Sequence, residues 1–230
     1  MKEDAADDGQ REGRRMTDTF STTPPAAMRI YGDLTSGNCL KIKIVADVLG
    51  LAYEWVQVDA LKGETRTPAY LALFPAGQIP GVVFDDGRRL AQSNAIMRYL
   101  ARESALLPGD PFAAATVDQW LFWEQYSHEP TIAVCRVEMT FRGVPREGRD
   151  PGRVARGEAA LDLMERHLAE SEWFVGDDVT IADVALFAYT QWADEGGFDL
   201  AGRPAIRGWL DRCRVAFRLE PDAIAATAGR

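Results

Sequence analysis

The sequence predicts an α/β domain built on a mixed four-stranded sheet, followed by an all-α domain. Three observations carry this. A strand, a helix and a second strand come first and are followed by a hairpin and another helix; the stretch Leu107-Pro108-Gly109-Asp110-Pro111 then breaks the pattern; and beyond it apolar residues recur only at helical spacing. Domains are expected at 28–106 and 112–217, with tails at 1–27 and 218–230. The chain has 230 residues, 47% of them apolar, which suffices for one sizeable core or two small ones, and the usual domain size favours two.

Residues 1–27 mix charge with Ser, Thr, Gly and Pro and have neither a period of 2 nor one of 3.6, so nothing offsets their ordering entropy. They read as a loose tail, or as an upstream extension with Met16 or Met28 as alternative starts. Arg29 to Gly32 reads as the first strand. Leu40, Ile44, Val45, Val48 and Leu49 line one face of a helix ending near Gly50, and the alternation from Tyr53 to Val58 gives the second strand. Val82 to Phe84 and Leu90-Ala91 pair across the Asp86-Gly87 turn, and a helix is expected from Ser93 to about Glu103.

After the linker a long helix should run from Ala113 toward Phe141, kinked at Pro130 because proline removes one ladder bond. Gly143 to Gly152 separates it from a helix bearing Val154, Leu161, Met164 and Leu168. Val179-Thr180-Ile181-Ala182-Asp183-Val184 contains a capping box that starts the next helix, with Val179 placed to staple onto Val184. Following Pro204, the series Ile206, Trp209, Leu210, Cys213 and Phe217 marks a last helix with one inward face.

Composition narrows the function. A net charge of −9 opposes binding to phosphate backbones, so nucleic acid is not expected as a partner. No apolar run approaches the roughly 20 residues that span a bilayer, and the polar first 27 residues lack a signal peptide's apolar core, so no membrane partner and a cytoplasmic location are expected. Cys39, Cys135 and Cys213 are odd in number and form no C-x-x-C pair, which fits a reducing compartment. With only His128 and His167 and no ligand spacing around them, no metal is expected.

Residues 74–100 concentrate the parts of a peptide site. Gly77 and Pro80 bracket a constrained turn, the backbone at Ile79 offers an edge to an extended peptide, and a helix N-terminus at Ser93 offers free N–H groups to a carboxylate. The implied ligand is a small acidic peptide. Ser93 as a plain helix cap uses the same groups, so both readings stand.

This arrangement resembles the glutathione S-transferase superfamily, whose first domain is thioredoxin-like and whose second is helical. Gly77-Gln78-Ile79-Pro80 is similar to the family's turn before a cis-proline, Gln92-Ser93 to the pair that holds the γ-glutamyl end of glutathione, and Thr180-Ile181-Ala182-Asp183 to the motif opening the family's buried central helix. The resemblance covers roughly residues 28–217. It implies glutathione as co-substrate, bound by Gln78, Ile79, Pro80, Gln92 and Ser93, with a small hydrophobic electrophile as the other substrate. A homodimer and a role in detoxification are further expectations. Phe74 and Gly77 depart from the family's pattern, where an asparagine and a histidine stand in some classes, so the anchor of the glycyl carboxylate is open; Lys62 and Arg66 are nearby cations.

Glutathione's thiol, with a pKa of about 8.5, must be ionised to attack, and lowering it by roughly two units needs about 2.7 kcal/mol. A hydroxyl donor contributes about 1.5–3 kcal/mol and a helix N-terminus about 0.3–1. Ser36, in Leu34-Thr35-Ser36-Gly37-Asn38-Cys39, resembles the catalytic serine of theta- and delta-like members, and it also reads as an ordinary cap. Tyr31 and Cys39 are the other candidates for the sulfur's neighbour, Tyr31 being equally a core residue and Cys39 a small packed one. Trp120, Trp123, Glu124, Tyr126, Ser127, His128 and Arg136 read as core or contact residues, with His128 paired to a glutamate. The alternatives are a glutathione-dependent reductase, peroxidase or isomerase, including a thiol–disulfide enzyme working through Cys39, and a transferase-like binding module without turnover.

Overall fold

The computed structural model describes residues 28–219. The tail expected at 1–27, and the one expected at 218–230 apart from Arg218 and Leu219, lie outside the described residues. β1 (Met28–Gly32) is central: β2 (Tyr53–Gln57) pairs parallel to it and β3 (Gly81–Phe84) antiparallel on its other side, and β4 (Arg89–Ala91) completes the order β2-β1-β3-β4. The sheet is mixed and four-stranded, as predicted.

Because successive strand residues face opposite ways, the sheet has two apolar faces. Met28, Ile30, Val82 and Phe84 pack into the large core with α1 (Gly37–Val48) and α3 (Ser93–Ala101). Tyr31 and Val83 point the other way, onto Tyr70 and Phe74 of a smaller cluster. Part of that cluster comes from α2 (Pro68–Leu73), a one-and-a-half-turn helix that is not among the predicted elements.

The second half is helical: α4 (Pro111–Trp123), α5 (Glu129–Arg136), α6 (Pro151–Leu168), α7 (Ile181–Thr190) and α8 (Pro204–Ala216). α4 and α5 form one run joined by a π turn at Glu124–His128, and a second π turn, Val137–Phe141, extends α5. Where a kink at Pro130 is expected, the structure has a π turn: proline has no N–H for the carbonyl four residues back, and the backbone ahead of it adopts the longer spacing. Two starts differ from expectation. α4 begins at Pro111, capped by Asp110, and α6 at Pro151, capped by Asp150, so linker residues with an Asp-Pro pair open helices instead of separating them.

Every residue of α7 is buried. Its capping box forms as predicted: Asp183 Oδ2 accepts from the Thr180 N–H at 2.9 Å and Thr180 Oγ1 from the Ala182 N–H at 3.2 Å, while Asp183 Oδ1 also accepts from Trp209 Nε1 at 3.0 Å. α7 packs against α1, α4 and α8 within a single core that includes residues of both halves. A Cβ on Gly37 would lie 2.8 Å from the Tyr189 ring, so only glycine lets the first turn of α1 approach α7 this closely.

Candidate active site

A cavity of about 650 Å³ opens where the start of α3, the turn before β3 and the π turn of the helical half meet. Gln78, Ile79, Pro80, Gln92 and Ser93 all line it, joined by Asn38, Gln125 and Glu129. The Ile79–Pro80 peptide is cis, and the Tyr70 hydroxyl donates to the Gln78 carbonyl at 2.7 Å. The N–H and C=O of Ile79 have no hydrogen-bond partner among the described residues, which leaves a short strand edge facing the cavity. Gln78 and Gln92 present exposed amides.

Gln92, and not Ser93, is the N-cap of α3, and it sits in the left-handed region at φ 71°, an unfavourable conformation for a non-glycine residue. The plain-cap reading of Ser93 therefore fails. Its hydroxyl donates to Asn38 Oδ1 at 3.0 Å, away from the helix backbone, and no side chain occupies the N-terminus of α3.

Behind Ser93 lies a buried polar network that periodicity did not reveal. Lys41, on α1, has no exposed surface and donates to Asn38 Oδ1 at 2.8 Å, Asn94 Oδ1 at 3.3 Å and Glu124 Oε2 at 2.9 Å. Asn38 Nδ2 in turn donates to Glu129 Oε1 at 3.3 Å. His128 is fully buried but does not pair with a glutamate as expected; its Nε2 meets Thr190 Oγ1 at 2.9 Å, and burial drives its pKa down to about 4, so the ring is neutral. Glu124 Oε1 and His128 Nδ1 are left without partners. The one sequence signal was Lys41 itself, a charge on the apolar face shared with Ile44, Val45 and Val48.

Ser36 stands apart from the cavity wall at the N-cap of α1, with φ −88° and ψ 120°, and its side chain makes no capping bond. The hydroxyl lies beside the Cys39 sulfur and the Tyr189 hydroxyl. Arg136, from α5, fixes the turn leading to it: Nη1 donates to the Thr35 carbonyl at 2.6 Å, and Nε to Glu195 at 2.6 Å. Cys39 is sealed in the core, and burial pushes its thiol up to about 12, so it cannot serve as a thiolate at neutral pH. Tyr31 packs edge-on against Tyr70 and Phe74 as a strand residue.

Of the two loop cations weighed for the glycyl end, Arg66 reaches the cavity and Lys62 does not; Lys62 pairs with Asp59 at 2.9 Å. Gly77, at φ +60°, is where a Cβ would strike Arg66 Nη1 at 2.5 Å, so the glycine lets that guanidinium lie across the turn. Arg89 joins it in the lining. Among the described residues no group of His, Cys, Asp and Glu side chains could hold a metal ion, and no helix is long and apolar enough to cross a membrane.

Comparison with known proteins identifies relatives of both halves. The family model for the glutathione S-transferase N-terminal domain matches residues 26–102, and that for the C-terminal domain matches residues 146–212. Glutathione S-transferase 3 of Zea mays is 32% identical over 213 residues, covering 86% of this chain and 95% of the maize protein. Among solved structures, a glutathione S-transferase from Pseudomonas fluorescens is 47% identical with a TM-score of 0.79, covering 84% of this chain and 96% of its own. One from Xanthobacter autotrophicus is 45% identical with a TM-score of 0.78, covering 84% and 94%.

Proposed function

This chain belongs to the glutathione S-transferase superfamily, and we propose that it holds glutathione along the Ile79 edge and uses the Ser36 hydroxyl to stabilise the thiolate that attacks a small apolar electrophile. The peptide adds as a strand beside Ile79, its γ-glutamyl carboxylate meets the N–H groups of α3 with Ser93, and the Gln78 and Gln92 amides flank it. Arg66 and Arg89 serve the glycyl carboxylate. The thiol gives its proton to solvent, the sulfur lone pair forms a bond to the electrophilic atom, and that atom's leaving group or π bond takes up the displaced electron pair. A homodimer in the cytoplasm that clears reactive compounds belongs to the same proposal.

The observation that carries this reading is the N-terminus of α3, which lacks any side-chain cap and shares its cavity with the unpaired Ile79 edge, together with a second uncapped N-terminus, that of α1, at Ser36. Each is suited to an anion: thiolate at one, carboxylate at the other. The reductase alternative through Cys39 loses its nucleophile to burial.

The test is Ser36→Ala, read by the thiolate absorbance of bound glutathione and by turnover of a chlorinated aromatic substrate. Loss of a donor contributing about 2.7 kcal/mol predicts a bound-thiol pKa higher by roughly two units and kcat/KM lower by about a hundredfold, with glutathione affinity changed little. An unshifted thiol pKa would remove Ser36 from the role. A parent protein that binds glutathione but turns over no electrophile would leave only the binding-module reading.

A further inference from the structure

Ser36 can support a thiolate only if its hydroxyl is held in place, because a hydrogen bond weakens steeply once distance or angle slips and a working site keeps its donors within about 0.5 Å. The helix end does not supply this. Ser36 is the N-cap of α1 but makes no capping bond, so its hydroxyl goes where the turn before it goes.

That turn is fastened at both ends of one peptide unit. The Ser36 N–H donates to the Asp33 carbonyl at 3.0 Å, and Asp33 Oδ1 accepts from the Thr35 N–H and from the Thr35 hydroxyl, each at 2.8 Å. These bonds are local. The carbonyl of the same unit, that of Thr35, is held from the helical half, by Arg136 Nη1 at 2.6 Å across 101 residues of chain. With both its N–H and its C=O engaged, the plane between Thr35 and Ser36 is held against rotation, and the direction of the Ser36 side chain follows from it.

Arg136 is itself prepared for this. It is the last residue of α5, where the run enters its second π turn, and its side chain is only 5% exposed. Nε donates to Glu195 at 2.6 Å, and the guanidinium lies 4.1 Å over the Trp192 ring. Glu195 sits in a single 3-10 turn, Asp194–Gly196, laid against α5: a Cβ on Gly196 would lie 3.1 Å from the Arg136 backbone nitrogen. An ion pair taken out of water adds little net stability, whereas a planar fork with one nitrogen fixed on a carboxylate has the direction of its others fixed as well. Here one of those others meets the turn that carries Ser36.

We infer that Arg136 is a positioning residue for Ser36: through the Thr35 carbonyl it holds the serine hydroxyl where the sulfur of glutathione settles, so that thiolate formation depends on contact between the two halves. This rests on the glutathione reading with Ser36 as the donor.

The test is Arg136→Met and Arg136→Lys, each made alone and with Ser36→Ala, read by the thiolate absorbance of bound glutathione across pH and by turnover of a chlorinated aromatic substrate. Arg136→Met should raise the bound-thiol pKa by about one unit and lower kcat about tenfold, with KM for glutathione within about twofold of the parent. Arg136→Lys, whose single ammonium cannot serve carbonyl and carboxylate as the fork does, should recover part of each. With Ser36→Ala already present, Arg136→Met should shift the thiol pKa no further, since the arginine acts through the serine. Glu195→Ala, which leaves Arg136 present but unanchored, should move both readouts the same way by a smaller factor, and it carries the test if Arg136→Met does not fold. A loss of stability with thiol pKa and kcat unchanged would make Arg136 a tie between the halves and overturn the assignment, as would a full pKa shift from Arg136→Met in the Ser36→Ala background. An unshifted thiol pKa in Ser36→Ala alone sinks the underlying serine reading instead, which is a different result.

Discussion

Apart from α5, which continues without a break from the π turn, the helix N-termini among the described residues fall into two groups. α2, α4, α6 and α7 are closed by the chain itself: Thr67 accepts from the Tyr70 N–H, Asp110 from Ala113, Asp150 from Arg153, and Thr180 from Ala182. α8 is closed from a distance by Glu165, whose carboxylate accepts from the Ala205 and Ile206 N–H groups. α1 and α3 have neither a capping bond nor an acidic residue in the first turn. A serine stands at each, yet Ser36 turns to Tyr189 and Cys39, and Ser93 to Asn38. Leaving such a terminus open forgoes about 0.5–2 kcal/mol per helix. Under the proposed function, the difference separates ends that serve stability from ends kept for a ligand's charge.

The largest expected effect concerns what joins the two open ends. Lys41 reaches Asn38 in the first turn of α1, Asn94 in α3 and Glu124 in the helical half, the pair with Glu124 being fully buried. Lys41→Met strands Glu124 as an unpaired interior charge and should lower stability by about 3–5 kcal/mol in urea denaturation. The double change with Glu124→Leu should recover most of it. A single variant within about 1 kcal/mol of the parent would mean that the pair does not bridge the open ends as described.

Next comes an effect of pH. His128, held neutral with a pKa of about 4, has an unfolded value near 6.5. Between those values the unfolded chain binds a proton that the fold does not, so stability falls as pH drops through the window, by about 3 kcal/mol in total. His128→Gln should flatten the pH dependence of the denaturation midpoint between pH 7 and pH 4. A slope equal to the parent's would mean that the ring takes up its proton in the fold.

The element order was legible because it depends on local signals: apolar spacing, the Asp86-Gly87 turn, and the Thr180 and Asp183 capping box. So were the residues of the cavity's sheet side, whose motif is contiguous. The network was not. Lys41 and Glu124 are separated by 83 residues and Arg136 and Thr35 by 101, and no periodicity reports which distant carboxylate or carbonyl a buried cation will meet. α2 escaped because six residues opening with proline complete too few turns for a pattern. The cap of α3 was misplaced by one residue because the reading assumed that serine caps where it can, whereas Gln92 takes the strained position and frees Ser93 for Asn38.

A third change converts an open end into a closed one. Ser36→Asp puts a carboxylate at the N-cap of α1, whose backbone already has cap geometry. It should stabilise the protein by about 0.5–1 kcal/mol while reducing kcat/KM by a hundredfold or more, since a fixed charge then occupies the place proposed for the thiolate. Thermal melting and turnover measured together decide it. Retained activity would show that the thiolate does not gather at this helix end.

The smallest effect is the mirror image, at a closed end. Thr180→Ala removes the hydroxyl that accepts from Ala182 and donates to Asp183 Oδ2 at 3.1 Å, and should cost about 1–2 kcal/mol of stability with kcat/KM unchanged. Ser93→Ala, at an open end, should do the opposite: stability within about 1 kcal/mol of the parent, because the lost bond to Asn38 leaves Lys41 and Gln125 still donating to the same oxygen, but glutathione bound roughly tenfold more weakly. The comparison requires these responses to cross. If both variants lose stability alike and bind glutathione alike, the two serine and threonine hydroxyls are equivalent structural caps, and the open ends carry no binding role of their own.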